Sequence, residues 1–350
     1  MCEEGYEMAR KDRYRAAVVG LRGIGAGAEK ESFSGNRRAA PHTHASAHSA
    51  HERIDLVAAC DLDGSLLDKF RETWGEGPAL YDDFDAMLAG EDIDVLSIAT
   101  SDHTHAELGI TAIEAGVPMV FCEKPMTTSL ADADALVGAV EDAGTAFSVD
   151  HTRRWDPFFR QAYDFIQSGR IGRVVRVVGT WGGTRALEYR NGSHAVDAVN
   201  MYAGGSPEWV VGVHEPPGQW AEPAPSALVQ YDNGVLAFIN QTKAMPKFTE
   251  WQVFCEQGRV RIGGVHSTVE YAATTPSGQE DWLERQLPTQ KVYRSAMLSS
   301  IDDLIRRHEG GPETFANVRT GLMAVEVIEA MRRSHDAGQA KVEFPLARGV

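Results

Sequence analysis

Five short apolar segments recur through the first 150 residues and constrain the fold more than any other feature. They are RAAVVG (15–20), DLVAACD (55–61), DVLSIAT (94–100), PMVFCEK (118–124) and AFSVDHT (146–152). Because they are continuously apolar rather than alternating, we predict strands that are covered on both faces. Helical patterns lie between them, among them SLADADALVGAVEDAG with Ser129 as its N-cap. Alternating strands and helices predict right-handed βαβ units in a doubly wound parallel sheet.

The pattern changes after about residue 170. RVVRVVGTWGG, SALVQYDNGVLAFINQT and EWQVFCEQGRVRIGG are strand-like, and the last two contain hairpin turns at 232–234 and 256–258. This predicts a second, mainly antiparallel sheet, which is followed by helices over 294–309 and 317–337. The chain is therefore expected to form an α/β domain over residues 14–150, with an insertion at 31–53, and an α+β domain over 151–350.

Composition and charge exclude several classes of protein. The sequence is 43% hydrophobic and 24% charged, which is typical of a globular protein, and its net charge of −16 argues against a nucleic-acid partner. No stretch approaches the roughly 20 apolar residues of a membrane span, and the polar start MCEEGYEMARKDRYR does not resemble a secretory signal. The four cysteines show no metal-binding, redox or disulfide pattern, so we expect a cytoplasmic protein.

A glycine-rich turn follows the first predicted strand. Residues Gly20, Arg22, Gly23, Ile24 and Gly25 resemble the G-x-G-x-x-G turn that brings a pyrophosphate close to backbone amides. A strand–helix turn without a ligand is the alternative, but its position after the first strand of a βαβ series favours nucleotide binding. Arg22 replaces the middle glycine, and it either reaches a phosphate or blocks the usual pose.

The second predicted strand ends at Asp61. A carboxylate at this position accepts hydrogen bonds from the adenosine ribose and repels a 2′-phosphate, so NAD is favoured over NADP; a helix N-cap is the alternative role. Asp61 comes 36 residues after Gly25, and the surplus lies in the insertion. That segment carries four histidines, His42, His44, His48 and His51. No carboxylate or cysteine accompanies them in a familiar spacing, so we expect a solvated loop and no metal.

Two further stretches carry candidate chemistry. Lys124 ends the fourth predicted strand, where ligands bind in such sheets, although an ion pair with Glu123 would also explain it. His194 and Asp197 lie three residues apart on a mostly apolar predicted helix and therefore share a face. A helix cap and an internal hydrogen bond would explain that pair without any catalytic role.

Several of these motifs occur in the order found in one protein family. GLRGIG, AACD, IATSDHTHAELGITAIEAG, CEKPM, SGRIGRV, GSHAVDAVNMYAGG and RTGLMAVEVIEAMRRS resemble the glucose–fructose oxidoreductase / inositol dehydrogenase (Gfo/Idh/MocA) family over residues 15–345. The combination of E-K-P and a later H-x-x-D is the most specific part. The resemblance implies a Rossmann domain and a C-terminal domain with a large open sheet. It also implies a homodimer or homotetramer formed through that sheet, and last helices that fold back on the first domain.

The resemblance also implies roles for individual residues. The expected catalytic residues are Lys124, which contacts the reacting hydroxyl, His194 as the acid/base, and Asp197. The added cofactor contacts are Thr100, His105, Glu123, Lys124 and Arg153. The expected substrate contacts are Arg154, Trp155, Arg190, Asn191 and His194. Trp155 and Asn191, together with Trp181, Arg185 and Tyr189, are pocket candidates that could equally serve packing or lie on the surface.

One position departs from the family pattern. Family members often have an aspartate four residues before the histidine, and Arg190 stands there in this chain. Either the substrate carries an acidic group or additional acceptors, or His194 works without that carboxylate.

The resemblance implies an NAD-dependent oxidoreductase acting on a secondary hydroxyl or ketone of a sugar, cyclitol or sugar derivative, so the partner is a small carbohydrate or polyol. A redox-neutral NAD-dependent glycosidase and a non-catalytic NAD-binding regulator are the alternatives.

Overall fold

A six-stranded parallel sheet forms the first half of the molecule. The computed structural model describes residues 11–27, 40–184, 188–215, 222–263, 266–274, 276–287 and 294–348. The strands are β1 (Tyr14–Val19), β2 (Ile54–Cys60), β3 (Ala79–Tyr81), β4 (Val95–Ile98), β5 (Met119–Cys122) and β6 (Ala146–Val149). Their order is β3-β2-β1-β4-β5-β6, and every pair is parallel. The order reverses beside β1, and ligands bind beyond the carboxyl ends of strands at such a point.

Helices cover both faces of this sheet. They are α1 (His44–Ala50), α2 (Gly64–Trp74), α3 (Phe84–Gly90), α4 (His105–Glu114) and α5 (Leu130–Ala143). Side chains of Asp63, Asp83 and Ser129 cap the starts of α2, α3 and α5 by accepting backbone N–H bonds that the helix itself leaves unpaired. The prediction of Ser129 as an N-cap is confirmed, because its hydroxyl accepts the N–H of Asp132.

The histidine-rich segment is a buried helix over 44–50, so the solvated loop predicted there is wrong for this part. Thr43 caps α1 in a capping box with Ser46. His44 and His48 are fully buried and both reach the hydroxyl of Ser97 on β4, at 3.0 and 2.7 Å. Burial lowers the pKa of His48 to about 3, so its imidazole is neutral. The prediction of a solvated loop was wrong because a neutral, hydrogen-bonded imidazole can pack in a protein interior as an apolar side chain does. Residues 28–39 lie outside the described part of the chain.

A nine-stranded sheet forms the second half. Its strands are β7 (Val174–Gly182), β8 (Pro207–His214), β9 (Pro225–Tyr231), β10 (Leu236–Thr242), β11 (Phe248–Cys255), β12 (Gly258–Gly263), β13 (His266–Thr274), β14 (Glu280–Gln286) and β15 (Val342–Glu343). The order is β14-β13-β12-β11-β7-β10-β9-β8-β15, and only β7 and β10 pair in parallel. The predicted fold class is confirmed, including the hairpins β9–β10 and β11–β12.

Four helices pack around the second sheet and return to the first. They are α6 (Pro157–Gln167), α7 (Gly192–Ala203), α8 (Ala296–His308) and α9 (Val318–Asp336). In α8, Ile301 and Leu304 share a buried cluster with Tyr14 and Phe121 of the parallel sheet. Helix α9 contributes to the cores of both sheets. Helix α9 therefore joins the two sheets, and α8 covers the parallel sheet.

The face of the second sheet that α7 does not cover is partly apolar. Phe238 and Val213 remain 40% and 47% exposed there, beside a shallow depression of about 630 Å³. Subunit association through this sheet stays a prediction. Among the described residues, none of the helices is both long and apolar enough to cross a membrane.

Candidate active site

A cleft of about 1540 Å³ lies between the two sheets, beyond the carboxyl ends of the parallel strands. The predicted site residues that line it are Gly20, Arg22, Gly23, Ile24, Asp61, Thr100, Glu123, Lys124, Arg153, Arg190, Asn191 and His194. Trp181 lines it as well. The side chains that do not line it are His105, Arg154, Trp155, Tyr189 and Asp197, together with Gly25, and Arg185 lies outside the described residues.

The glycine turn is shaped for a ligand. Gly20 has φ +87°, and a Cβ there would lie 2.6 Å from the backbone of Ala99. A Cβ on Gly25 would lie 1.9 Å from the carbonyl oxygen of Gly20, so both positions exclude any side chain. Gly23 has φ +58° and faces open space. A backbone that excludes side chains on one side and opens into a cleft on the other fits a dinucleotide pyrophosphate.

Arg22 does not block this turn. Its side chain is 79% exposed and its guanidinium lies 3.4 Å from the carboxylate of Asp63 at the start of α2. The arginine therefore lies along the rim of the cleft and leaves the space above Gly23 open.

Asp61 stabilises the turn and faces the cleft. One carboxylate oxygen accepts the N–H of Leu21 at 2.7 Å, and the other accepts the N–H of Asp63 at 2.9 Å. Each oxygen keeps a lone-pair site for a ribose hydroxyl. The N-cap of α2 is Asp63 rather than Asp61, so Asp61 is available for the ligand-binding role predicted for it.

The E-K-P segment is fixed by a buried histidine. His105 Nδ1 lies 2.8 Å from the carbonyl oxygen of Pro125, and its Nε2 lies 3.3 Å from that of Thr100. The Lys124–Pro125 peptide is cis. His105 thus links the ends of β4 and β5 and positions Lys124 rather than contacting a ligand. The Nζ atom of Lys124 donates to the carbonyl oxygen of Arg190 at 2.9 Å, across the cleft from the parallel sheet.

Glu123, Asp150 and His44 form a buried cluster under Lys124. Their polar atoms all lie within 4.8 Å of one another. Burial would raise the pKa of Glu123, but the hydrogen bond to His44 and the charge of Lys124 lower it to about 2. Burial and the adjacent Glu123 carboxylate raise the pKa of Asp150 well above its ordinary value. The two carboxyl groups therefore titrate as a coupled pair, in which Glu123 loses its proton at lower pH than Asp150 does.

This cluster is assembled from residues far apart in the sequence. Local spacing showed no carboxylate in a familiar arrangement with the histidines of the insertion, and the fold brings Glu123 and Asp150 beside His44. The three side chains have the composition of a cation-binding group, and His44 also lies within hydrogen-bond distance of Glu123, at 3.4 Å. Asp150 was recognised as the end of β6 but not proposed as a site residue.

His194 is held against an aromatic wall. Its ring is parallel to that of Trp181 within 6°, with centroids 6.2 Å apart, and meets His151 edge to face at 6.3 Å. The guanidinium carbon of Arg153 lies 4.7 Å from the centroid of Trp181. Helix α7 thus brings His194 to the same end of the cleft as Lys124, because Arg190, the residue that Lys124 bonds, immediately precedes this helix.

Asp197 faces away from the cleft, one helical turn after His194. Its carboxylate accepts bonds from Arg154 at 2.8–3.1 Å and lies 3.1 Å from Nδ1 of His151. Burial would raise the pKa of Asp197, yet the charges of Arg154 and His151 lower it to about 2. Arg154 also donates to the carbonyl of Phe315. Arg154 and Asp197 form a buried ion pair, so neither contacts the contents of the cleft.

Trp155 does not reach the cleft either, because it is 8% exposed and its indole N–H points to Asp303. Other residues that line the cleft were not proposed from the sequence, namely Thr184, Lys247, Thr249, Trp251 and Ile262. They come from β7, β11, β12 and the adjoining loops, where no local motif marks them. His151, which does not line the cleft but contacts the ring of His194, was not proposed either, although it follows the end of β6 by two residues, as Lys124 follows the end of β5.

The fold and the cleft are typical of a dinucleotide-binding protein in which a second sheet supplies the other wall of the cleft. Residues 15–151 match the model of the oxidoreductase family with NAD-binding Rossmann fold, and residues 159–261 match the C-terminal domain model of the same family. The chain belongs to the Gfo/Idh/MocA family, and its first domain is an NAD-binding Rossmann domain.

Three curated proteins that the chain resembles are named dehydrogenases. The chain is 31% identical over 209 residues to 1-carboxy-3-chloro-3,4-dihydroxycyclohexa-1,5-diene dehydrogenase of Comamonas testosteroni, covering 53% of this chain and 51% of that enzyme. It is 25% identical over 304 residues to myo-inositol 2-dehydrogenase of Thermotoga maritima, covering 80% and 88%. With D-apiose dehydrogenase of Paraburkholderia graminis the match covers 31% of the relative. The chain thus spans about half or less of the length of two of these three enzymes.

Solved structures share the fold over nearly the whole chain. The WlbA dehydrogenase from Bordetella pertussis, in complex with NADH and UDP-GlcNAcA, has a TM-score of 0.77 at 22% identity and covers 97% of this chain and 100% of its own. Levoglucosan dehydrogenase in complex with NADH has a TM-score of 0.78 at 16% identity, with coverage of 96% and 100%. At this identity the likeness shows the fold alone.

Proposed function

We propose that the protein is an NAD-dependent oxidoreductase that acts on a secondary hydroxyl or ketone of a sugar, cyclitol or sugar derivative. The observation that carries the proposal is the meeting of Lys124 and His194 at one end of a cleft whose other end is the glycine turn with Asp61. Names of relatives support the reaction class, since inositol, levoglucosan and apiose dehydrogenases are among them.

The residues at the nucleotide end fit NAD. The backbone of the glycine turn would hold the pyrophosphate, Asp61 the adenosine ribose, and Thr100 and Glu123 the nicotinamide ribose. The carboxylate of Asp61 disfavours a 2′-phosphate. When bound, the nicotinamide ring supplies the acceptor for the hydride that leaves the alcohol carbon.

Lys124 and His194 divide the remaining chemistry between them. An ammonium group has three N–H donors, and the bond to the Arg190 carbonyl uses one of those on Lys124. The other two are available to the substrate oxygen and stabilise negative charge that develops on it. His194 takes the hydroxyl proton during oxidation and returns it during reduction. Arg153 fixes Trp181, and Trp181 fixes the ring of His194.

Asp197 does not take the place of the aspartate that Arg190 replaces. Its carboxylate is paired with Arg154 and His151 inside the domain. The orientation of the His194 ring is fixed by its contacts with Trp181 and His151.

The test is nicotinamide absorbance when the purified protein meets NAD and a panel of cyclitols, aldoses, uronic acids and glycosides. Reduced cofactor with one class supports the proposal. Release of free sugar from a glycoside without net cofactor reduction would replace it with a redox-neutral glycosidase. Tight NAD binding with no reaction, and no effect of Lys124→Ala on any property, would replace it with a regulator.

A further inference from the structure

Cationic side chains balance the acidic ones along the cleft, although the whole chain carries a net charge of −16. The cations that line it are Arg22, Lys124, Arg153, Arg190, Lys247 and Arg294. Four of them differ in whether a carboxylate pairs with them: Arg22 and Arg294 are paired, and Arg190 and Lys247 are not paired with a carboxylate of the described residues.

The cations near the nucleotide end are paired. Arg22 lies 3.4 Å from Asp63, and Arg294 lies 2.7 Å from Asp302. Each of these ion pairs neutralises its arginine, so little net positive charge is left over for a ligand at this end. The backbone of the glycine turn is what remains to bind phosphate there.

Two cations at the substrate end are different. Arg190 and Lys247 are exposed to the cleft, and neither makes an ion pair with any carboxylate among the described residues. The acidic residues of the lining toward this end have other partners: Asp156 accepts the N–H of Phe158 as the cap of α6, and Glu123 and Asp150 belong to the buried cluster under Lys124. The wall around the two cations includes Trp181, Trp251 and Ile262, which provide no counter-charge.

Both cations are tied to the place where the chemistry is proposed. Lys247 lies two residues before Thr249, the partner of Trp181 in the β7–β11 ladder, and its backbone packs against Gly183. The backbone carbonyl of Arg190 accepts a hydrogen bond from Lys124, and Arg190 lies just before the helix that carries His194. Trp181 stacks on His194, so the backbone segments of Arg190 and Lys247 both adjoin residues of this part of the cleft.

We propose that the substrate carries an anionic group, a carboxylate or a phosphoryl group, which Arg190 and Lys247 bind while its hydroxyl lies at Lys124 and His194. This inference rests on the proposed function and adds the substrate class to it. An anion would supply a counter-charge for Arg190 and Lys247, which pair with no carboxylate of the described residues. The guanidinium fork of Arg190 matches the geometry of either group. A local pair of cations is also needed to attract an anion to a protein of strongly negative net charge.

The test is calorimetric titration of the protein saturated with NADH. The ligands are matched pairs of neutral and acidic compounds: glucose with glucuronate, galactose with galacturonate, sorbitol with gluconate, and glucose with glucose 6-phosphate. We expect at least one acid to bind about 10-fold or more tightly than its neutral partner, as charge-assisted hydrogen bonds provide. The carboxylate and phosphate arms distinguish the two kinds of anion. Equal affinities within every pair, or no binding by any acid, would overturn the inference.

The variants Arg190→Gln and Lys247→Gln should each remove most of the preference for the acid. Lys243→Gln is the matched control, because Lys243 lies in the same loop, does not line the cleft, and donates to the carbonyl of Glu222. A preference that survives in both cleft variants would contradict the inference. The affinity for NADH is measured in parallel, and its loss in both variants would assign these cations to the cofactor and overturn the inference as well.

Binding and turnover separate this inference from the proposed function. Acid binding that depends on Arg190 and Lys247, without cofactor reduction by any substrate, would reject the oxidoreductase and keep the anion site. Oxidation of neutral sugars with the same kcat/KM as their acids, unchanged in both variants, would keep the oxidoreductase and reject the anion site.

Discussion

The two ends of the cleft differ in how their polar groups are satisfied. At the nucleotide end, the chain supplies its own partners: Asp61 accepts two backbone N–H groups, and Arg22 and Arg294 pair with carboxylates. At the substrate end, Lys124 has one hydrogen bond to a backbone carbonyl, and Arg190 and Lys247 have no ion pair with a described residue.

This difference separates a preformed binding surface from a reactive one. A surface formed by the backbone and by internally paired side chains is expected to bind the same dinucleotide whichever substrate occupies the other end of the cleft. A surface of unpaired cations responds to the charge and position of its ligand, so selectivity and catalysis are expected to concentrate there. Substitutions at the two ends should therefore have effects of different kinds and sizes.

Loss of Lys124 should have the largest effect. Lys124→Ala removes the N–H donors that stabilise negative charge on the substrate oxygen, and we expect kcat to fall about 10³-fold. NAD affinity should stay within a few-fold, because the glycine turn and Asp61 are untouched. Steady-state kinetics on the substrate identified in the panel, together with NAD titration, measures both.

Lys69→Ala is the control for Lys124→Ala, since Lys69 is exposed on α2 and does not line the cleft. It should leave kcat unchanged. If Lys124→Ala keeps kcat within 10-fold of the parent, Lys124 is not the group that stabilises the reacting oxygen, and the comparison between the two ends fails at its strongest point.

The buried ion pair behind the substrate end should dominate stability. Asp197→Asn leaves the guanidinium of Arg154 buried without its counter-charge, and we expect a loss of about 3 kcal/mol in the free energy of unfolding at pH 7. The folded pKa of Asp197, about 2, lies below its ordinary 3.8. Its stabilising contribution is therefore complete above about pH 4 and is lost as the pH falls toward 2.

Urea unfolding at pH 7 and pH 3 measures this contribution. The difference between the parent and Asp197→Asn should be smaller at pH 3 than at pH 7. Asp142→Asn, an exposed position on α5, should change stability by less than about 0.5 kcal/mol at either pH. If Asp197→Asn is equally mild, the pair does not hold the substrate wall in place.

Sequence alone located the nucleotide end because its parts are local. The glycine turn follows β1 and Asp61 ends β2, so strand-end reasoning placed both in the cleft. Lys124 was found by the same reasoning. His105 was assigned to the cofactor, but its ring bonds two backbone carbonyls, which a sequence pattern does not reveal. The buried helix over 44–50 was missed because composition gives the polarity of a segment but not whether hydrogen-bond partners are available for it in the protein interior.

The substrate end was harder to predict because strands far apart in sequence assemble it. Lys247 and Trp181 come together through the register of β7 against β11, and no local motif encodes that register. The spacing of His194 and Asp197 suggested a shared face and a joint role. Both side chains contact His151, but helix α7 is buried around most of its circumference and their other neighbours differ: Trp181 for His194 and Arg154 for Asp197.

The loop that carries Arg190 should make the substrate end sensitive to pH. Glu188 is 5% exposed, and burial raises its pKa from 4.5 to about 7. Because the folded pKa is the higher one, its protonated form stabilises the fold below about pH 4.5, and that contribution is lost as the pH rises through 7. We expect about 2 kcal/mol of stability to be lost between pH 5 and pH 8 for this reason.

Glu188→Gln should remove this pH dependence, because glutamine stays neutral. Urea unfolding of the parent and the variant at pH 5 and pH 8 measures it, and the variant should be the more stable protein at pH 8 only. A parallel loss of stability in both proteins would show that another group titrates. The nearest ring, His214 at 3.5 Å, has its pKa lowered to about 4 by burial, so it is neutral at both pH values.

The smallest effect is expected at the nucleotide end, from the arginine in the glycine turn. Arg22→Ala breaks an exposed ion pair with Asp63, and such pairs contribute about 0.2–1 kcal/mol, so the Kd for NAD should change by less than about 5-fold.

Asp61→Ala is the contrast, because it removes a carboxylate that faces the cleft and leaves the N–H of Leu21 unpaired, and should weaken NAD binding more. Calorimetric titration with NAD measures both variants. A 50-fold loss in Arg22→Ala would mean that side-chain charge binds the pyrophosphate, and a gain in affinity would mean that Arg22 obstructs it. Either result would remove the distinction between a backbone-built nucleotide end and a charge-built substrate end.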